Sequence, residues 1–220
     1  VRRAAVLVFA CAAAGVAHAD VDAELAAAAT VLPACDAARP HCIGIRLHIT
    51  VSDDGLIARP DFLATQLAAA NRHFAPLDLG FQVVGIDSLP ATAAHIATPG
   101  DRDAVAAGRL GGGVIHVFIV GTLDDVDRPG QIIRGVTWHT RDDDRKYIIV
   151  STVAPERVLA HELGHFFGLP HSTYKVSIMN KRERKDPPPE QRTFADEEIA
   201  AMRTTLGRLL RAKVIAEAAK

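Results

Sequence analysis

His161-Glu162-Leu163-Gly164-His165-Phe166-Phe167-Gly168-Leu169-Pro170-His171 is the stretch from which the rest of the 220-residue chain is read. Residues four apart lie on one face of a helix, so His161 and His165 aim two imidazoles at one point. Glu162 sits beside the first of them, where a carboxylate reaches a metal-bound water without ligating the metal. Gly168 can adopt a left-handed backbone that ends the helix, and Pro170 discourages its return. His171 then arrives as a third nitrogen ligand. Three neutral imidazoles and one open position describe a catalytic zinc site rather than a closed structural one. Such a metal lowers the pKa of a water it binds to about 7, which suits Glu162 as general base. The five-residue core of this pattern arises by chance in unrelated helices; the eleven-residue form, with a glycine and a third histidine, is far more specific.

With these residues in place, the chain resembles the metzincin clan of zinc endopeptidases, whose signature adds a methionine turn beneath the metal. Ser177-Ile178-Met179-Asn180 supplies one, with Met179 eight residues after His171. That spacing and the His171-Ser172 pair are similar to the matrixin branch, although no matrixin-type propeptide motif is present. The resemblance implies an α/β (α+β) zincin domain. A twisted mixed sheet carries an active-site helix, and a small C-terminal part holds the Met turn and a terminal helix. It also implies an edge strand that pairs with extended substrate, for which Ile132 to His139 is the candidate. The region after Met179 would help wall the primed-side specificity pocket. Tyr174 is a candidate oxyanion donor, set against a packing role.

Toward the N-terminus, Arg2 and Arg3 precede an apolar run from Ala4 to Val16 and an Ala17-His18-Ala19 site. This is the pattern of a secretory signal peptide cut before Asp20, too short to span a membrane. A lipoprotein box ending at Cys11 is the weaker alternative, because Phe9 fits it poorly. The initial valine suggests a GTG start and a bacterial source, so a secreted or periplasmic location is expected. Residues 20–42 would form an N-terminal arm or short pro-segment, and 43–220 the catalytic domain. Cleavage removes two arginines and no acid, leaving 23 basic against 26 acidic side chains, a net charge of −3. Without a basic excess the chain offers no platform for nucleic acid. A monomer acting on a protein or peptide substrate is expected.

Cys35 and Cys42 lie close together, and in an oxidising compartment a disulfide is the default; a latency thiolate on the zinc is the alternative. Period-two alternation predicts a half-buried strand over Ile43–Val51. A helix follows from Pro60 to Phe74, then a strand over Leu79–Ile86 and a short helix over Asp101–Arg109. The apolar Val114–Val120 run suits a central strand, with His116 as a core histidine. Asp124, Asp125 and Asp127 offer a candidate calcium site, against the commoner reading of solvated carboxylates. Asp142-Asp143-Asp144 carries the same choice. Gln131–Thr140 and Tyr147–Ser151 read as strands, and Pro155 as the opening of the active-site helix. Residues 181–192, charged and proline-rich, read as a solvated loop; a basic rim favouring acidic substrate residues is set against the commoner reading of a charge run that just keeps a loop in water. Thr193 with Asp196 would cap the last helix, carrying Ile199, Met202, Leu206, Leu209 and Leu210.

The function that follows is a zinc endopeptidase with Glu162 as base. The alternatives are a narrow cell-wall peptide endopeptidase and a zinc-stabilised binding module without turnover. A binding module has no use for a general base, so Glu162 speaks against the last.

Overall fold

In a strand whose polar residues face solvent, Gly44, His48 and Thr50 would be exposed. In the computed structural model, which describes residues 13–140, 144–181 and 185–219, all three are buried. Strand β1 (His41–Ser52) leaves only Arg46 exposed along its length. The expected half-buried strand is therefore a central one. β1 runs parallel to both β3 (Leu79–Leu89) and β5 (Ile115–Val120), with a two-residue β2 (Gly55–Leu56) folded antiparallel against its end. Parallel strands covered on both faces need no alternation. The sheet continues through β8 (Lys146–Ser151), parallel to β5, and ends at β7 (Gly135–His139), antiparallel to β8. A separate small ribbon pairs β4 (His95–Ile96) with β6 (Thr122–Leu123).

Among the described residues, five helices complete the fold: α1 (Ala13–Val31), α2 (Pro60–Phe74), α3 (Pro99–Ala106), α4 (Val158–Phe166) and α5 (Asp196–Arg211). The larger core joins one sheet face to α2, α4 and α5, through Leu63, Leu67, Leu159, Leu163, Phe166, Met202 and Leu206. On the other face Phe118, Val120, Tyr147 and Ile149 pack with Val105 and Ala106 of α3. Helix α3 starts two residues before its expected position because Thr98 and Asp101 form a reciprocal capping box. The last helix also departs from expectation. It is Glu198, not Asp196, whose carboxylate reaches back, accepting from the Ala195 N–H at 2.8 Å.

Residues 1–12 of the expected leader segment lie outside the described residues. Residues 13–19 belong to α1, which runs on past the expected cut before Asp20. Ala28 is fully buried, and Leu25 and Leu32 pack against the core, so this arm docks on α2, β2 and β3. Cys35 and Cys42 are joined in a disulfide, which leaves neither sulfur as a thiolate. It ties the end of the arm to the first strand. None of the described helices is long and apolar enough to cross a membrane.

His116 is a core histidine, and it has a buried companion in His48, their facing nitrogens 2.9 Å apart. His116 Nε2 sits between the Gly111 N–H at 3.0 Å and the Gly111 carbonyl at 2.9 Å, so the His116–His48 bond can run in either direction, and His48 Nδ1 points at Asp87, 3.4 Å away. Burial, with His116 adding to it, lowers the His48 pKa to about 4. A histidine buried neutral stabilises the fold above its unfolded pKa of 6.5, and that stability drains away as pH falls from 6.5 toward 4. Across that window the loss is about 1.4 kcal/mol per pH unit for such a group. In urea titrations between pH 7 and 4, His48→Gln therefore shows a shallower loss of stability than the parent. An identical slope in the two would contradict this assignment.

Candidate metal centre and catalytic cleft

Helix α4 begins at Val158 rather than at Pro155. Residues 155–157 form a turn closed by the Val158 N–H on the Pro155 carbonyl. A buried side chain from α2 manages this helix start. Gln66 Oε1 accepts from the Leu159 N–H at 3.0 Å, and its amide donates to the carbonyls of Ala154 and Pro155. One glutamine thus satisfies an orphan N–H of the first turn and fixes α4 on α2. The helix ends at Phe166, and Gly168 takes φ +92°, a conformation that favours glycine. The reversed chain lets the Leu169 N–H bond back to the Gly164 carbonyl at 2.9 Å and brings His171 alongside.

The three histidines converge. Among the described residues theirs is the one set of three ligand atoms within 4.8 Å of one another. Two of the rings have fixed tautomers. His161 Nδ1 lies 2.8 Å from the Ile178 carbonyl and His165 Nδ1 lies 2.7 Å from the Leu169 carbonyl. A carbonyl can only accept, so each Nδ1 carries the proton and each Nε2 presents a lone pair. Those two Nε2 atoms face each other at 3.1 Å. Two lone pairs at that distance repel unless a cation lies between them. The edge of a tetrahedron with zinc–nitrogen bonds of about 2.0–2.1 Å is ~3.3 Å, so the site fits zinc. Burial lowers the pKa of all three rings, His161 to about 4, which keeps the imidazoles in the neutral form a metal requires.

Below them the chain folds into a tight turn around Met179, itself fully buried. The Met179 carbonyl accepts from the Ser172 N–H, and the Met179 N–H donates to Ser177 Oγ, both at 2.9 Å. Ser177 in turn bonds the buried Glu198 carboxylate at 2.7 Å, so one acid of α5 pins both its own helix start and the turn. Gly164 makes the turn's close approach possible, because a Cβ there would stand 2.5 Å from the Met179 sulfur.

Glu162 is 5% exposed, and burial raises its pKa to about 7. Thr137 of β7 works in the opposite direction. Its hydroxyl lies 3.1 Å from Glu162 Oε2 and 2.6 Å from the Glu162 carbonyl oxygen. Gly135, also on β7, packs directly on this side chain, leaving 3.0 Å between a would-be Cβ and Glu162 Cγ. A cleft of about 370 Å³ opens beside Glu162, with Ile132, Ile133, Val158 and Ile178 among its walls. Tyr174 does not wall that cleft. It is 45% exposed on the loop before Met179, and its backbone carbonyl accepts from Asn180.

The acidic loop is organised by local bonds. Asp124 pairs with His95, and Asp125 accepts from the Asp127 N–H. Among the described residues these carboxylates do not form a group of three ligands. Asp142 and Asp143 lie outside the described residues. Lys181 and residues 185–191 are exposed or half-buried, as a solvated loop would be, and Arg192 is the exception. It is 4% exposed, donates from Nε to the Pro187 carbonyl and forms part of the cleft wall. Nothing in the local sequence separates it from the neighbouring surface charges. Thr137, Gln66 and Glu198 likewise carry no local signal that marks them as participants in the site.

Comparison with known proteins agrees with this geometry. Residues 120–204 match the matrixin family of peptidases, a span that includes β7, the three histidines and the Met turn. In structure the chain is similar to metalloproteinase-II from Bacteroides fragilis, with a TM-score of 0.54 and 13% identity over 79% of this chain. It spans 56% of that protein's length. It is equally similar to archaemetzincin from Methanopyrus kandleri, with a TM-score of 0.54 and 16% identity, covering 79% of this chain and all of the other. No curated protein matches the chain in sequence. The fold is therefore that of the metzincin-type zincins. Its matrixin-like segment carries the histidines, and the two together support a zinc metalloprotease.

The Gly164–Met179 contact yields a direct expectation. Gly164→Ala forces the Met turn away from α4 and costs about 1–3 kcal/mol. Because Ile178 orients His161, zinc affinity falls as well. Chemical denaturation and competitive zinc titration check the two effects, and a variant equal to the parent in both would show that the contact is not needed.

Proposed function

We propose that the chain is an exported zinc-dependent endopeptidase, with His161, His165 and His171 as metal ligands and Glu162 as general base. The observation that carries this reading is the placement of Glu162. A buried carboxyl beside three converging imidazoles opens onto a cleft between the edge strand β7 and the Met turn. A purely structural metal site has no need of such an acid.

Zinc, when bound, supplies Lewis acidity for the peptide carbonyl and for the attacking water. The protein's own groups manage position and protons. An extended substrate adds to the edge of β7 through main-chain hydrogen bonds, a mode tolerant of sequence. Thr137 steadies one oxygen of Glu162, and Gly135 leaves room for the carboxylate at the cleft. Glu162 takes a proton from the attacking water at a carboxylate oxygen and returns it to the departing amine nitrogen. Burial supports this role, because a carboxyl titrating near neutrality exchanges protons in both directions. The apolar run and cleavage site at residues 1–19, together with a Cys35–Cys42 disulfide suited to an oxidising compartment, support export.

Glu162→Ala should bind zinc like the parent and lose hydrolysis of a denatured protein substrate by about 10²–10⁴-fold. Loss of zinc and activity together would assign Glu162 a structural role instead. Gly135→Ala should lower turnover while leaving zinc content unchanged. Protein recovered outside the cytoplasm should begin at Asp20; recovery of the uncut N-terminus would contradict the export reading.

A further inference from the structure

The cleft beside Glu162 carries a charge pattern that peptide hydrolysis by itself does not require. Arg134, Arg157, Lys181 and Arg192 all contribute to its walls, and Glu162 is the one acid among the lining residues. Arg192 is buried in that wall with its Nε donating to the Pro187 carbonyl, so the exposed cations carry the recognition. Arg134 and Lys181 are exposed at the margin. Between the cations lie apolar surfaces from Ile132, Ile133, Pro155, Val158 and Ile178. A carboxylate gains charge-assisted bonds from guanidinium and ammonium groups, and its methylene stem gains from apolar walls.

We propose that this cleft is a specificity pocket for an acidic side chain, glutamate above all, flanking the bond to be cut. Glutamate suits it better than aspartate because the longer stem covers the apolar walls while its carboxylate reaches the cations. His161 and Glu162 form part of the same wall, so the pocket sits next to the reacting centre. The inference rests on the hydrolytic reading and adds a substrate class to it: proteins or peptides rich in glutamate. It also gives Arg134 and Lys181 a role in selecting substrate.

Two measurements test it independently. The first maps cleavage sites by mass spectrometry in a denatured bacterial proteome digested by the zinc-loaded protein. Glutamate should be enriched at one position flanking the cut, and the enrichment should collapse in the Arg134→Glu, Lys181→Glu double variant, whose substitutions lie at exposed positions. The second needs no turnover. Zinc-loaded Glu162→Ala is titrated with a fluorescein-labelled, C-terminally amidated Ala-Ala-Gly-Glu-Leu-Ala peptide and with its glutamine counterpart. The glutamate peptide should bind about tenfold more tightly, a difference removed by the double substitution. Cleavage without acid enrichment, together with equal affinities, would overturn the pocket and leave the peptidase reading intact. An affinity difference without any cleavage by the parent would do the reverse.

Discussion

Two imidazole lone pairs held 3.1 Å apart set the terms for this structure. The arrangement is repulsive by itself, and it persists because each ring donates its other nitrogen proton to a fixed carbonyl. Those carbonyls belong to the turn around Met179 and the turn that follows Gly168. Metal affinity is thus built into backbone geometry on both sides of the helix. A shift in either turn would rotate a ligand away from the common point.

The surrounding fold holds those turns in place through a few polar side chains that reach between elements. Glu198 joins α5 to the Met turn through Ser177, and Gln66 anchors the start of α4 to α2. Thr137 links the edge strand to Glu162. Each is buried or partly buried and bonded to backbone or to another side chain, so each removes a freedom that packing alone would leave. The small residues act in concert with them: Gly164 admits the methionine sulfur, and Gly135 admits the glutamate.

Much of the site was legible because its ligands are close in sequence and governed by helix geometry. The spacing of His161, His165 and His171 and the turn at Gly168 needed no tertiary information. The partners that arrive from afar were not legible. Gln66 lies 93 residues from the amide it caps, and Thr137 lies in the candidate edge strand, where nothing in the sequence ties its hydroxyl to Glu162. Arg192 stands in a charged run, and its burial depends on how residues 185–192 fold against the cleft. The fold showed the same division. Strand positions were legible, but alternation in β1 suggested a solvent-facing side. Parallel neighbours and helix packing covered that side instead. Capping of α5 by Glu198 rather than Asp196 follows from where the chain enters the helix, which a local motif does not encode.

The central claim is that three imidazoles hold zinc and leave a position open for chemistry. X-ray absorption spectroscopy of the zinc-loaded protein tests it most directly. The account predicts three histidine nitrogens at about 2.0–2.1 Å, completed by a lighter oxygen scatterer that exchanges with added small ligands. A closed shell of four protein ligands, or one containing sulfur, would contradict it and make the metal a structural element.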